Sequence, residues 1–334
     1  MARIFVTRQI PGKALEELKR VYEVEVFGDE KISREELLKR VEGVDAILST
    51  VTTKVDDEVM TAAGPGLKIV ANYAVGYDNI DLDAARKHKL VVTNTPSKLG
   101  DVVAEFTVAL VLALSRRIVE ADKFVRAGEF VGWGPNLFLG QDLSGKTLGM
   151  IGPGTIGAVV GKRLQAVFDM QVVYHCRNRK ADFEATTGGK WVSLEELLKL
   201  ADVVTIHVPL TAETRHMIGA EELAMMKPTA ILINTARGPA VEQGALVAAL
   251  ERKQIWGAAL DVFEGEVEAE KSHLDPQDWQ RLKELPNVIL TPHIASATIQ
   301  AREEMTGLAV ESIMKVLAGE EVKNNVLVLR DGEA

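Results

Sequence analysis

TLGMIGPGTIGAVVGKRL, residues 147–164, is the stretch on which the reading of the fold turns. A short apolar run ends at Ile151, Gly152-Pro153-Gly154-Thr155-Ile156-Gly157 follows, and an apolar-periodic helical pattern begins at once. Every glycine of G-x-G-x-x-G is present. The first permits a tight turn, the second lets backbone approach a pyrophosphate, and the third lets helix and strand pack closely. The helix start would add N–H donors aimed at phosphate. Alone, such a turn also fits a plain structural connection, so its flanks decide.

After the turn, MQVVYH (170–175), DVVTIHV (202–208), AILINT (230–235), WGAALDV (256–262) and NVILT (287–291) read as strands separated by helical patterns. With TLGMI they make six, enough for a doubly wound Rossmann-type sheet. Before it, ARIFVT, YEVEVF, VDAILST, LKIVANYAV and LVVTNTP alternate with GKALEELKR, SREELLKRV and DDEVMTAA, a second βαβ series and hence a second parallel sheet. A single helical stretch from Asp101 to about Gly128 joins the two, and REEMTGLAVESIMKVLAG (302–319) is expected to return to the first. The expectation is an α/β chain in which a dinucleotide domain (101–290) is inserted in a flavodoxin-like substrate domain (1–100 and 291–334).

With 334 residues, 47% of them hydrophobic, the chain has material for two cores. A net charge of −9 argues against a broad electrostatic footprint for nucleic acid or anionic membrane. The longest apolar run, FTVALVLAL (106–114), falls short of the ~20 residues that span a bilayer. Cys176 is the single cysteine, which excludes an intramolecular disulfide, and MARIFVTRQI lacks the layout of a cleavable signal. A cytoplasmic setting is expected.

An NAD site usually carries an acidic residue about 20 positions past the glycines, bonded to the ribose 2′-OH. Here the corresponding stretch is Tyr174-His175-Cys176-Arg177-Asn178-Arg179-Lys180, with no acid before Asp182. The alternatives are a solvated basic turn or a pocket for the 2′-phosphate of NADP, which guanidinium groups bind as a fork. NADP is the expected cofactor, with NAD as second choice.

Ligands of open α/β sheets bind beyond the carboxyl ends of the strands. Arg237 follows AILINT, Glu266 follows WGAALDV and His293 follows NVILT. Parallel strands would bring the three together. An Arg can hold a 2-oxo acid's carboxylate, a His can pass a proton to its carbonyl oxygen, and a Glu can orient that His. Each taken singly is also an ordinary loop residue. His88, His216 and His273 lie in polar stretches and rank lower, while His207 ends a strand and is placed to line a cofactor groove. No metal-ligand spacing such as H-E-x-x-H or C-x-x-C occurs.

At these residues the chain resembles the D-isomer-specific 2-hydroxyacid dehydrogenases, most of all their glyoxylate/hydroxypyruvate reductase branch. NYAVGYDNID, TPSKLGDVVAEFTVALVLALSRR, GKTLGMIGPGTIG, VPLTAETRHMIG, LINTARGPAVEQGALVAAL, AALDVFEGE and LTPHIASAT carry the resemblance in order. It implies hydride transfer from NAD(P)H to a small 2-oxo acid, with His293 as proton donor and acceptor, Glu266 its partner and Arg237 the substrate anchor. It also implies that the Val75 and Gly76 N–H groups meet the substrate carboxylate. Cofactor contacts would come from the glycine turn, Cys176, Arg177, Asn178, Thr235, Ala236, Arg237, Asp261, His293 and Ala295.

Most relatives place Pro after the catalytic Glu. Here Val267 and an acidic segment follow, which leaves Glu264 open as an alternative to Glu266. That segment and EFVGWGPNLF (129–138) also resemble phosphite dehydrogenases, which carry Lys where this chain has Val75. A D-lactate-type dehydrogenase and an NADH-sensing corepressor similar to the C-terminal binding proteins are the other rivals. The apolar helix and the arm EFVGWGPNLF would cover each other in a two-fold homodimer.

Overall fold

The structure, a computed structural model, describes residues 1–96, 99–266 and 276–331. They form two compact units, one from residues 1–96 and 297–331 and one from 99–266 and 276–296. His273 and the acidic segment after Glu266 lie outside the described residues.

The first unit runs β1 (Arg3–Val6), α1 (Lys13–Val21), β2 (Glu23–Val26), α2 (Arg34–Arg40), β3 (Ala46–Thr50), α3 (Asp57–Ala63), β4 (Ile69–Tyr73), α4 (Leu82–Lys87) and β5 (Val91–Thr93). Its strands are all parallel, in the order β2-β1-β3-β4-β5, which is the flavodoxin-like winding. The central β3 and β4 are buried along their whole length, as their apolar runs require in a sheet covered on both faces. β2 alternates half-buried with exposed positions because it lies at the edge.

The second unit runs α5 (Leu99–Ser115), α6 (Ile118–Arg126), β6 (Thr147–Ile151), α7 (Thr155–Phe168), β7 (Gln171–His175), α8 (Ala181–Thr187), β8 (Lys190–Trp191), α9 (Leu194–Leu200) and β9 (Val203–Ile206). It continues with α10 (Ala220–Met225), β10 (Ile231–Asn234), a 3₁₀ turn at Gly238–Ala240, α11 (Gln243–Glu251), β11 (Gly257–Leu260), α12 (Pro276–Glu284) and β12 (Val288–Leu290). The parallel sheet has the order β12-β11-β10-β9-β6-β7-β8, so the winding reverses between β6 and β9. That reversal is where a doubly wound sheet opens a ligand crevice. α13 (Ile299–Leu317) and α14 (Val326–Asp331) belong to the first unit, where α13 packs on α1 and β4.

Two expectations are corrected. The sheet has seven strands rather than six: β8 is two exposed residues paired with Val173 and Tyr174, too short to leave an apolar pattern. The stretch from Asp101 to Gly128 is two helices, not one. Arg117 adopts left-handed backbone (φ 54°), its guanidinium grips Glu120 at 2.6 and 2.8 Å, and the returning chain takes the Ser115 carbonyl through the Gln141 N–H at 2.8 Å. A continuing helix would need that carbonyl itself.

Candidate active site

The glycine turn joins β6 to α7 on the reversal point. Gly152 has φ 81°, open to glycine but strained for other residues, and a side chain there would meet Val208 at 2.7 Å and the His207 carbonyl at 3.0 Å. Gly157 sits against the Gly152 carbonyl, whereas a Cβ on Gly154 would meet nothing within 4 Å. Two glycines are thus needed to pack the turn and the middle one leaves open space in front of the first turn of α7. The N–H groups of that turn, at Thr155 and Ile156, have no partner within the helix. This cradle fits a pyrophosphate. Beside it His207 directly follows β9; burial pushes its imidazole down to about 3, and its Nε2 is buried without a hydrogen-bond partner among the described residues.

Past β7 the basic turn is tightly tied. The Cys176 thiol donates to the Asn178 carbonyl at 2.8 Å and Trp191 Nε1 donates to the Cys176 carbonyl at 3.0 Å. Burial raises the Cys176 pKa, so this thiol is held neutral. Arg179 and Arg177 differ. Arg179 forks onto both oxygens of Glu184 at 2.7 Å, while Arg177 is exposed and makes no ion pair among the described residues. Of the two arginines in this turn, Arg179 is thus taken by Glu184 and Arg177 is not.

At the carboxyl ends of β10, β11 and β12 the structure brings the predicted trio into neighbouring loops. Buried Asn234 accepts from the Ala236 N–H at 3.0 Å and donates to the Arg237 carbonyl at 2.9 Å, which shapes the turn that presents Arg237. The Arg237 guanidinium donates to the Ala236 carbonyl at 2.8 Å. Gly238 follows because a Cβ there would stand 2.0 Å from the Phe263 carbonyl carbon; the loops after β10 and β11 touch backbone to backbone. Thr235 meets Thr107 at 3.1 Å. His293 Nδ1 contacts Glu266 Oε1, and Glu266 Oε2 receives the Phe263 N–H at 3.4 Å. His293 itself is left-handed at φ 54°. Its loop is fixed from beneath by fully buried Asp261, which accepts from Thr291 Oγ1 (2.6 Å), the Ile294 N–H (2.9 Å) and the Ala295 N–H (2.8 Å). Asp261 and Ala295, both expected at the cofactor, are thus bonded to each other.

Glu264 is committed elsewhere. Its Oε1 contacts His216 Nε2 and its Oε2 accepts from the Gln243 N–H at 3.3 Å, at the start of α11. Glu266 is therefore the carboxylate on His293. Sequence reasoning missed the His216–Glu264 pair and the support from Asp261; T-x-H in Thr291-Pro292-His293 beside a strand-end Asp was the only available signal for the second. In the first unit, Val75 and Gly76 form the turn after β4. Asn94 Nδ2 donates to the Val75 carbonyl and Asn72 Nδ2 to the Gly76 carbonyl, each at 2.8 Å, so both peptide planes are oriented by side chains that the fold buries. Among the described residues no cluster that could hold a metal ion occurs, and no helix is long and apolar enough to cross a membrane.

Residues 108–295 match the model of the D-isomer specific 2-hydroxyacid dehydrogenase, NAD binding domain. A glyoxylate reductase of Thermococcus litoralis is 48% identical over 95% of this chain and 94% of its own. A crystal structure of a protein from Thermus thermophilus superposes with a TM-score of 0.88 at 46% identity, covering 97% of this chain and 99% of that one. A structure of an NADPH-dependent glyoxylate/hydroxypyruvate reductase from Sinorhizobium meliloti, in complex with NADP and malonate, has a TM-score of 0.83 at 32% identity over 97% and 96% of the two chains. The chain belongs to the D-isomer-specific 2-hydroxyacid dehydrogenase family, and it is an oxidoreductase that uses a nicotinamide cofactor.

Proposed function

We propose that this enzyme reduces glyoxylate, and hydroxypyruvate of the same class, to the 2-hydroxy acid, with NADPH as the favoured reductant. The observation that carries the reading is the His293 Nδ1 contact with Glu266, set among parallel strand ends and next to the loop of Arg237. When bound, the reduced nicotinamide supplies a hydride. The Gly152–Gly157 turn and the α7 N-terminus would hold its pyrophosphate, while Thr235, Ala236, Asp261 and Ala295 are the proposed lining of its nicotinamide end. With Nδ1 turned to Glu266, the proton that reaches the substrate carbonyl oxygen comes from Nε2 of His293, and the carboxylate stabilises the charged ring before that transfer. Arg237 is the proposed anchor for the carboxylate of the 2-oxo acid. The Val75 and Gly76 N–H groups are the proposed donors of the first unit to a substrate carboxylate.

The Thermococcus and Sinorhizobium relatives support the substrate class, and the absence of an acid between Tyr174 and Lys180 supports NADPH. The test is oxidation of NADPH and NADH against glyoxylate, hydroxypyruvate and pyruvate, with phosphite tested against the oxidised cofactors. Glyoxylate should lead in kcat/KM, and NADPH should exceed NADH at least about tenfold, the equivalent of one ~1.4 kcal/mol contact. Leading activity on pyruvate or phosphite, or equal use of the two cofactors, would contradict it. The same reading includes a two-fold homodimer, because Val131 and Trp133 stand 99% and 86% exposed on the arm after α6. Light scattering at micromolar concentration should give twice 36.4 kDa, and a monomer would remove that part.

A further inference from the structure

The two arginines of the turn after β7 differ in what holds them. Tyr174, the last fully buried residue of β7, packs edge-on against Phe183 with ring centroids 5.2 Å apart. Its hydroxyl donates to Glu184 Oε1 at 2.6 Å and accepts from the Lys180 N–H at 2.8 Å. Glu184 thus receives the Arg179 fork and the Tyr174 hydroxyl together, and these donors hold its carboxyl down at about 2. A bidentate guanidinium on a carboxylate that is itself only 17% exposed is the strong form of ion pair, with two parallel charge-assisted bonds. Drawing Arg179 away toward another anion would cost Glu184 its fork and leave it the Tyr174 hydroxyl alone. Arg177 gives up nothing. It stands exposed next to Cys176, whose carbonyl is fixed by Trp191, and its charge reaches Glu213 only through space.

We infer that Glu184 is a specificity-tuning residue: it withdraws Arg179 from the adenosine 2′-phosphate, leaves Arg177 as the cation that binds it, and thereby caps how strongly the enzyme favours NADPH. The inference rests on the NADPH reading above. Its physical content is that one charge-assisted fork, not two, discriminates between the cofactors. The clamp through Tyr174 holds the backbone of the turn, whereas Glu184 sets whether one guanidinium or two is available. A neutral amide at 184 keeps an acceptor for Tyr174 and releases Arg179.

Titration calorimetry with adenosine 2′,5′-bisphosphate and with AMP tests this without turnover, since the ligands differ only in the 2′-phosphate. Arg177→Ala should weaken the bisphosphate at least about tenfold and leave AMP unchanged, whereas Arg179→Ala should change neither by more than about twofold. Glu184→Gln should tighten the bisphosphate at least about threefold, and the double change Glu184→Gln with Arg179→Ala should erase that gain. If Arg179→Ala costs as much as Arg177→Ala, or Glu184→Gln weakens the bisphosphate while its melting temperature holds, the division of roles is wrong though NADPH preference stands. If the unmodified protein binds both ligands equally, the NADPH reading falls and this inference with it.

Discussion

Two histidines of the second unit meet glutamates that are two residues apart in one short segment, yet their surroundings differ. His216 and His293 both adopt left-handed backbone, at φ 53° and 54°, and each touches a carboxylate, Glu264 and Glu266 respectively. Glu264 also receives the first N–H of α11, and His216 is tied by its own N–H to the Pro239 carbonyl at 2.7 Å. That pair knits the loops after β9, β10 and β11 together. Glu266 caps no helix among the described residues; its second oxygen holds there only a 3.4 Å contact, and the loop bearing His293 is supported independently by Asp261. A His–Glu contact is thus not a sign of catalysis in itself. What separates the two is whether the carboxylate is spent on the scaffold or kept for the ring.

The contrast can be broken by substitution. Glu266→Gln should lower kcat with glyoxylate by ~10² or more with little change in cofactor affinity, because the amide keeps an acceptor but removes the charge that stabilises the ring cation. Steady-state kinetics beside a cofactor titration checks this, and a loss below threefold would place Glu266 with Glu264. Gly238→Ala comes next. Its Cβ would overlap Phe263 backbone at 2.0 Å, forcing apart the loops that carry Arg237 and Glu266. Overpacking of that kind costs about 1–3 kcal/mol, and a displacement approaching 1 Å lowers kcat/KM by up to ~10², so a thermal melt and an activity assay should both move. Glu264→Gln should cost less than about threefold in kcat and register mainly as a lower melting temperature, through the weakened start of α11.

At neutral pH nothing is expected to change at His207; its effect is on stability as the pH falls. Its folded pKa is depressed to about 3 from the ordinary 6.5 while the unfolded imidazole titrates normally, so the unfolded chain binds the extra proton between these values. Stability is then lost as pH falls through that window, at up to ~1.4 kcal/mol per pH unit. His207→Gln should flatten this slope in denaturant melts at a series of pH values; an unchanged slope would show that the ring is not buried neutral.

Much of this is legible in the amino-acid sequence. Strand ends are marked by where apolar runs stop, so Arg237, Glu266 and His293 could be gathered from periodicity and parallel winding alone. The G-x-G-x-x-G turn was legible because each glycine has its own steric reason. The partner of each polar side chain was not. Nothing in the spacing says that Arg179 turns to Glu184 while Arg177 does not, since both sit in the same basic run and the choice depends on where α8 places Glu184. Likewise Glu264 and Glu266 are equivalent in sequence, and only the position of α11 separates them. β8 and the break at Arg117 escaped for a related reason: a two-residue edge strand has no period, and a helix end set by a carbonyl bond to Gln141 leaves no mark on the helix's own residues.

The most direct test of the central claim compares His293→Ala with His216→Ala in glyoxylate-dependent NADPH oxidation, with cofactor affinity measured on both proteins. His293→Ala should lose ~10² or more in kcat at nearly unchanged cofactor affinity, while His216→Ala should stay within about threefold of the unmodified enzyme. Retention of more than about a tenth of the turnover by His293→Ala, or an equal loss in His216→Ala, would contradict the assignment of His293 and Glu266 as the proton-transfer pair.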